Sequence, residues 1–288
     1  MDLDQFHTYP RGRFLPGTRI EIRGEAAALG KARSALFDFD GTISLIRSGW
    51  QDVMIPMMVE TLQEASGAEP PDALERLTRE FVDKLTGKQT IFQMMQLAEE
   101  VKKRGGQPLE PLEYKRRYND LLMARIGKRR EALKDGTARP EDLTMPRAAE
   151  LLERLRERGL SLYLASGTDY EYVCEEAEML GVADYFDGGI YAAQERVEDF
   201  SKAQVIRQML REHELSGPEL LSFGDGYVEI LNAKEAGGIA VGVASDEVGK
   251  VNVNEWKRNR LIQAGADLIA PGYAEMERML AYLLDGER

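Results

Sequence analysis

Residues 34–42 read SALFDFDGT, an apolar run that ends in two aspartates, Asp38 and Asp40. The run is typical of a buried parallel strand, and side chains two residues apart on a strand point to the same side. The two carboxylates should therefore emerge together at the carboxyl end of the strand, where open α/β sheets bind their ligands. Like charges at this spacing are costly unless a cation or a proton lies between them. Taken alone, the stretch is also compatible with an ordinary acidic turn after a strand, since Asp-Gly is a common turn pair.

The composition narrows the class of protein. The chain has 288 residues, enough for one large domain or for a core domain with a smaller one. Hydrophobic residues make up 43% of it, which favours a packed core over disorder. The formal net charge of -12 disfavours nonspecific binding to nucleic acid or to anionic membranes, but it is compatible with a small anionic substrate.

Cysteine and histidine usage indicates the compartment and the kind of metal site. The single cysteine, Cys174, has no internal partner for a disulfide, which fits a reducing cytoplasm. The first residues show no signal pattern, and no apolar run approaches the length that spans a membrane. With only His7 and His213 present, a histidine-built zinc site is disfavoured. We therefore expect a cytoplasmic protein that binds neither nucleic acid nor a membrane.

The hydrophobic pattern divides the chain into three regions. Residues 1–31 are interrupted by proline and glycine and are interpreted as a solvated N-terminal extension, with a short edge strand at 18–23. Residues 48–140 have helical periodicity and form a predicted all-helical insert. Residues 32–47 and 141–288 alternate strand and helix, which predicts an α/β core with a parallel sheet and helices on both faces.

The predicted helices of the insert cover residues 48–65, 72–85, 90–104 and 111–134. The strands predicted after the insert cover residues 160–165, 189–192, 220–223, 239–243 and 267–269. The helices predicted there cover residues 146–158, 170–180, 201–213 and 274–284.

Three further places carry polar residues next to a predicted strand or helix end. Ser166 and Thr168 lie where a strand runs into a helix, either as a phosphate cradle or as ordinary N-cap residues. Lys202 opposes the dipole in the first turn of its helix, which a nearby phosphate or carboxylate would explain. Asp225 and Glu229, four residues apart, would share one face of a helical turn and offer oxygen ligands suited to Mg²⁺. An Asp-Gly turn with a solvated glutamate is the alternative.

In this order, the four places resemble the motifs of the haloacid dehalogenase-like hydrolase superfamily. DFDGT at residues 38–42 matches the first motif, and Ser166 (or Thr168) falls at the second. Lys202 stands at the motif lysine, and GDGYVE at residues 224–229 resembles the fourth motif, with a glutamate where the family more often has aspartate. The resemblance leans towards the phosphoglycolate phosphatase-like branch, and it implies a Rossmann-like core with a type 1 helical cap.

The resemblance also implies a mechanism. Asp38 would attack phosphorus to form an aspartyl-phosphate, and Asp40 would act as general acid and then general base. Mg²⁺ would be held by Asp38, the backbone carbonyl of Asp40 and Asp225, with Glu229 as a direct ligand or orienting a bound water. Ser166 and Lys202 would bind the transferring phosphoryl oxygens. Further phosphate-binding residues implied by the motifs are Gly41, Thr42, Gly167 and Thr168.

Within the superfamily, the residues favour hydrolysis of a phosphate monoester. Asp40 argues against carbon–halogen cleavage, because dehalogenases lack this second aspartate. No lysine occurs between Thr42 and Lys84, which disfavours the phosphonate-cleaving chemistry. We expect a phosphorylated small acid or sugar as the substrate; a sugar phosphomutase and a catalytically silent ligand-binding relative stay open as alternatives. Five residues are expected to contact the substrate from the side of the cap: Arg47, Trp50, Lys84, Lys88 and Gln89. The alternative is that their side chains lie on solvated helix faces.

Overall fold

The computed structural model describes residues 6–24, 28–66, 69–194, 201–212, 214–247, 249–250 and 252–286. The predicted helix end at His213 and the first five residues of the predicted extension lie outside these ranges. No helix within them combines the length and the apolar character that a membrane span requires.

A single sheet forms the centre of the described part of the chain. Its strands across the sheet follow the order β1-β2-β8-β7-β6-β3-β4-β5. The pairs from β8 through β5 are parallel, whereas β1 with β2 and β2 with β8 are antiparallel. The predicted α/β fold with a mostly parallel sheet is therefore confirmed. The strands are β1 (Arg13–Phe14), β2 (Glu21–Ile22), β3 (Ser34–Phe37), β4 (Ser161–Asp169), β5 (Gly189–Ala193), β6 (Leu220–Gly224), β7 (Ile239–Val243) and β8 (Leu268–Ala270).

Strand β3 lies in the middle of the sheet and has apolar side chains on both of its faces. Ala35 and Phe37 belong to one buried cluster, and Leu36 belongs to a second. Six helices pack on the sheet: α5 (Ala148–Glu157), α6 (Tyr170–Met179), α7 (Lys202–Glu212), α8 (Tyr227–Glu235), α9 (Glu255–Gln263) and α10 (Met276–Leu280), all within the described ranges. Helices α5, α6 and α10 contribute to the first cluster, and α7, α8 and α9 contribute to the second, so helices cover both faces. Two of them, α8 and α9, are not among the helices predicted above.

In the described part of the chain, four α-helices lie between β3 and α5, as the periodicity predicts. They are α1 (Gln51–Ser66), α2 (Pro71–Leu85), α3 (Thr90–Lys103) and α4 (Pro111–Lys134). Each agrees with its predicted helix to within three residues at either end, because an amphipathic repeat over many turns is a strong local signal. Met54 and Leu97 are among the side chains that these helices bury together in one cluster with the sheet.

The N-terminal residues are part of the sheet. Strands β1 and β2 form a hairpin whose second strand pairs with β8, and Leu15 and Ile20 between them are buried. Arg258 of α9 donates from Nε and Nη2 to the two oxygens of Glu21, each at 2.7 Å. The interpretation of this segment as a solvated extension is therefore wrong for its described part. The strand predicted at 18–23 is present in shortened form, at Glu21–Ile22, but it lies between β1 and β8 and is not at the edge of the sheet.

Candidate active site

Three neighbouring strands bring the predicted site residues to one edge of the sheet. Asp38 follows β3, Ser166 lies near the end of β4, and Asp225 follows β6. Because β3 pairs with β4 on one side and β6 on the other, all three residues meet at the carboxyl edge. A cavity of about 110 Å³ opens there. The predicted residues that line it are Asp38, Asp40, Arg47, Trp50, Lys88, Ser166, Gly167, Thr168, Lys202 and Asp225.

Asp38, Asp225 and Glu229 form a compact group of carboxylates. One oxygen of each lies within 4.8 Å of the others. The ammonium of Lys202 donates to Asp38 Oδ1 at 2.6 Å and to Glu229 Oε2 at 3.0 Å. The predicted reason for a lysine in the first turn of this helix, a nearby carboxylate, is thus confirmed. The amide of Gly226 donates to the other oxygen of Glu229 at 2.6 Å, which fixes that side chain against the start of α8.

The electrostatics of this group fit a divalent cation. Burial raises the pKa of Asp38 well above its usual value; Lys202 opposes that shift, and the charges of Glu229 and Asp225 add to it. A cation between the carboxylates would relieve the same repulsion. Three hard oxygen donors, without histidine or cysteine, are the ligand type that Mg²⁺ prefers. The site therefore suits a divalent metal.

Asp40 lies beside this group, in a different environment. Its Oδ2 accepts a hydrogen bond from Thr168 Oγ1 at 2.8 Å, and its Oδ1 lies 3.9 Å from Arg47 Nε. Burial raises the pKa of Asp40 to about 6, against the opposing charge of Arg47 and with a further contribution from Glu176. A carboxyl group that titrates near neutrality is suited to give and take protons. The side chain of Asp40 is not part of the carboxylate group of Asp38, Asp225 and Glu229. The metal contact expected through the backbone carbonyl of Asp40 stays a prediction.

Gly41 and Thr42 lie behind the cavity and do not line it. The amide of Gly41 donates to the carbonyl of Ser44 at 2.9 Å, and the carbonyl of Thr42 accepts from the Tyr273 hydroxyl at 3.0 Å. Gly41 has φ +77°, and a Cβ there would lie 2.2 Å from Asp225 Oδ2. The turn therefore requires glycine so that Asp225 can approach, and the structure does not bring these two predicted phosphate-binding residues into the cavity.

The second motif lies on a longer strand than predicted. Strand β4 continues to Asp169, so Ser166 and Thr168 are strand residues instead of helix-cap residues. Ser166 Oγ accepts from the amide of Thr168 at 3.1 Å. A Cβ at Gly167 would lie 2.8 Å from the carbonyl oxygen of Lys88, so the loop between α2 and α3 rests directly on this glycine.

The predicted cap contacts divide into two groups. Arg47 lines the cavity, but it is buried and donates to both oxygens of Glu176, at 3.0 and 2.8 Å, so its charge is already compensated. Trp50 and Lys88 also line the cavity. Within the described ranges, the exposed ammonium of Lys88 has no hydrogen-bond or ion-pair partner, which leaves it available for an anionic group. The remaining two predicted contacts, Lys84 and Gln89, are not among the lining residues.

Lys257 is a residue of the site that the sequence analysis missed. Its ammonium donates to Asp225 Oδ2 at 2.6 Å and also to Glu247 Oε1. Desolvation opposes its positive charge, but these two carboxylates outweigh that effect and raise the pKa of Lys257. Like Lys202, it lies in the first turn of a helix, where a positive charge is unfavourable. That misplaced charge was the one local signal for it.

Helix α4 also contributes residues that the sequence did not single out. Tyr118 and Asn119 line the cavity, and Lys115 and Asn119 both donate to the carboxylate of Asp169. These contacts hold α4 against the end of β4, next to Thr168. They depend on how the helical insert meets the sheet, which no local pattern indicates.

Comparison with known proteins gives the relatives of this fold. A family model described as haloacid dehalogenase-like hydrolase matches residues 32–237. A predicted phosphoglycolate phosphatase from Haemophilus somnus is 18% identical, with 86% of this chain and 98% of that chain covered and a TM-score of 0.57. A predicted phosphatase from Clostridium acetobutylicum is 17% identical, with 88% and 99% covered and a TM-score of 0.57. β-Phosphoglucomutase from Clostridium difficile is 14% identical, with 81% and 98% covered and a TM-score of 0.52. No curated protein matches the chain.

Proposed function

This chain belongs to the haloacid dehalogenase-like hydrolase family, and on that basis we propose that it is a Mg²⁺-dependent phosphatase acting on a small phosphate monoester. The observation that carries the proposal is the pairing of two carboxyl groups with different roles in one cavity. Asp38 accepts a hydrogen bond from Lys202 and belongs to the carboxylate group with Asp225 and Glu229. Asp40 instead has a pKa raised to about 6 and accepts a hydrogen bond from Thr168. A nucleophile next to a proton donor is the arrangement that two-step phosphoryl transfer requires.

In the proposed reaction, an oxygen of Asp38 attacks phosphorus while the bond from phosphorus to the leaving oxygen breaks. Asp40 gives its proton to the leaving oxygen, so the product alcohol departs neutral. Asp40 then takes a proton from the water that attacks the aspartyl-phosphate, which returns Asp38 and inorganic phosphate. Lys202 and Ser166 stabilise the phosphoryl oxygens. A divalent cation held by Asp38, Asp225 and Glu229 would supply positive charge against the repulsion between nucleophile and phosphate.

The cavity supports a small substrate, a phosphorylated acid or sugar. Residues 48–140 form the proposed cap over a core of residues 32–47 and 141–288, and the loop that carries Lys88 reaches Gly167 at the phosphate site. The ammonium of Lys88, which has no partner among the described residues, favours a leaving group with an anionic or hydrogen-bonding substituent. The lone cysteine, Cys174, supports the cytoplasm as the proposed location.

The test is phosphate release from a panel of phosphorylated acids, sugars and nucleotides, with Mg²⁺ or with EDTA. Asp38→Asn should abolish release, whereas Asp135→Asn, at the exposed end of α4, should not change it. Intact-mass analysis after acid quench should show a phosphorylated protein that Asp38→Asn lacks. No release from any panel member contradicts the proposal, and isomerisation of a sugar phosphate without release would identify a phosphomutase instead.

A further inference from the structure

We propose that Lys257 is a positioning residue that restricts Asp225 to one metal-binding oxygen and thereby sets a preference for Mg²⁺ over Ca²⁺. The inference rests on the proposed function in one respect, that the group of Asp38, Asp225 and Glu229 is the metal site. It assigns to α9 a part in that site that the four sequence motifs do not contain.

The contacts of Lys257 hold it firmly between two carboxylates. Its side chain is 13% exposed, and its ammonium donates to Asp225 Oδ2 at 2.6 Å and to Glu247 Oε1. The next residue, Arg258, is bound by the buried carboxylate of Glu21, which anchors this turn of α9 to the sheet edge. The position of Lys257 is therefore restricted at its ammonium, by the two ion pairs, and at its backbone, by the anchored Arg258.

These contacts limit which oxygens face a cation. Asp225 Oδ2 accepts a hydrogen bond from Lys257, and Asp38 Oδ1 accepts one from Lys202. Each of these two aspartates keeps one oxygen outside these lysine contacts. Glu229 has Oε1 bonded to the Gly226 amide and Oε2 bonded to Lys202. The site is thus arranged for single-oxygen ligation by its two aspartates.

Single-oxygen ligation distinguishes the two common hard cations. Mg²⁺ requires near-octahedral geometry and keeps several waters, so one oxygen from each of a few carboxylates satisfies it. Ca²⁺ is larger, takes six to eight oxygens and readily accepts both oxygens of one carboxylate. Two-oxygen ligation of Ca²⁺ by Asp225 would place the cation on the oxygen that Lys257 bonds, where it competes with the ammonium, whereas Mg²⁺ needs only the other oxygen.

Lys257 also adjusts the charge of the site. Asp38, Asp225, Glu229 and Glu247 carry four carboxylates, and Lys202 and Lys257 bring two ammonium groups, so two negative charges remain. That excess equals the charge of one divalent cation. Removing Lys257 would strengthen the attraction for Mg²⁺ and Ca²⁺ alike, so the ratio of the two affinities isolates the geometric effect.

The experiment measures Mg²⁺ and Ca²⁺ binding to the metal-free full chain by isothermal titration calorimetry. The variant is Lys257→Met, which keeps most of the length of the side chain without its charge or its donor. The matched control is Lys234→Met, because Lys234 likewise bonds an aspartate, Asp267, at 2.8 Å, and its ammonium makes no hydrogen bond to the three carboxylates of the proposed metal site within the described ranges. We expect the preference for Mg²⁺ over Ca²⁺ to fall about tenfold in Lys257→Met and to stay unchanged in Lys234→Met.

An unchanged affinity ratio in folded Lys257→Met, with wild type binding Mg²⁺, overturns this inference and leaves the proposed function intact. Wild-type protein that binds neither ion and releases no phosphate overturns the proposed metal site and this inference with it. If Lys257→Met does not fold, Glu247→Asn takes its place. Asparagine tolerates the φ of +51° at this position but is too short to hold Lys257, so the ratio should shift in the same direction. An unchanged ratio there is again contrary to the inference.

Discussion

Glu21→Gln should destabilise the protein strongly, although residue 21 lies in the N-terminal hairpin, outside the motifs. The change removes the negative charge opposite Arg258, and both side chains are only 2% exposed. The guanidinium would remain buried against neutral acceptors: the glutamine oxygen and the carbonyls of Tyr9 and Pro10, which it already contacts at 3.0 Å. The exposed carboxylate of Glu255, 3.9 Å from Arg258 Nη1, is too far away for a hydrogen bond. Glu21 joins the hairpin to α9 through Arg258, so both should loosen.

The expected loss follows from the burial of the pair. Removing one partner of a buried ion pair costs about 3–5 kcal/mol, because the remaining charge is left uncompensated. Glutamine keeps the shape and one acceptor oxygen, so we expect the lower end, about 3 kcal/mol. The matched control is Glu255→Gln on the same helix, which removes a 55% exposed carboxylate that pairs with Arg11 and lies 3.9 Å from Arg258. That exposed pair should contribute less than about 1 kcal/mol.

The pH dependence gives the same prediction an independent check. Burial raises the pKa of Glu21, but the hydrogen bonds from Arg258 and the Gly12 amide outweigh it, and the net pKa lies below its ordinary value of 4.5. A depressed folded-state pKa contributes stability above the unfolded-state value, and this contribution is lost as the pH falls through the folded-state value. The difference between wild type and Glu21→Gln should therefore be constant from neutral pH down to about pH 5 and shrink below it.

The assay is equilibrium unfolding in urea, followed by circular dichroism and by tryptophan fluorescence. Trp256 lies on α9 and stacks on Phe6, with ring centroids 6.5 Å apart, so its emission reports on the docking of the N-terminal segment. A loss in Glu21→Gln no larger than that in Glu255→Gln would refute the reasoning. So would a difference from wild type that grows as the pH is lowered.

Three further predictions concern the cavity. Thr168→Val removes the hydroxyl that donates to Asp40 and should lower kcat about tenfold with little change in KM; an unaltered kcat contradicts this. Gly167→Ala places a Cβ 2.8 Å from the carbonyl oxygen of Lys88 and should raise KM at least about tenfold by displacing the loop. Its control is Gly127→Ala, where a Cβ meets open space, and an equal effect in both would count against the contact. Chelation with EDTA should stop phosphate release, and Mg²⁺ should restore it; release that persists in EDTA excludes a metal requirement.

Much of the core and the first elements of the site could be predicted from the sequence, because their signals are local. The apolar run forms one strand, β3, and Asp38 and Asp40 follow directly after it. The insert helices repeat an apolar stripe over many turns. The order of the motifs along the chain then placed Lys202 and Asp225 at the same edge of the sheet. In each case, the neighbours that matter lie within a few residues or at the ends of parallel strands.

The tertiary structure alone decided the contacts between distant segments. Strand β2 is two residues long, and its weak alternation indicates a strand but not a partner, yet Glu21 pairs with Arg258 across most of the chain. Arg47 looked like a substrate contact, but packing of α6 places Glu176 against it. Lys257 reaches Asp225 only because α9 docks beside β7. The sequence by itself determined the parallel core, the helical insert and the motif carboxylates. The pairing of buried charges was decided only by the packed structure. The physical reason is that a buried charge pairs with whichever opposite charge lies next to it in three dimensions, and no periodicity along the chain indicates which residue that is.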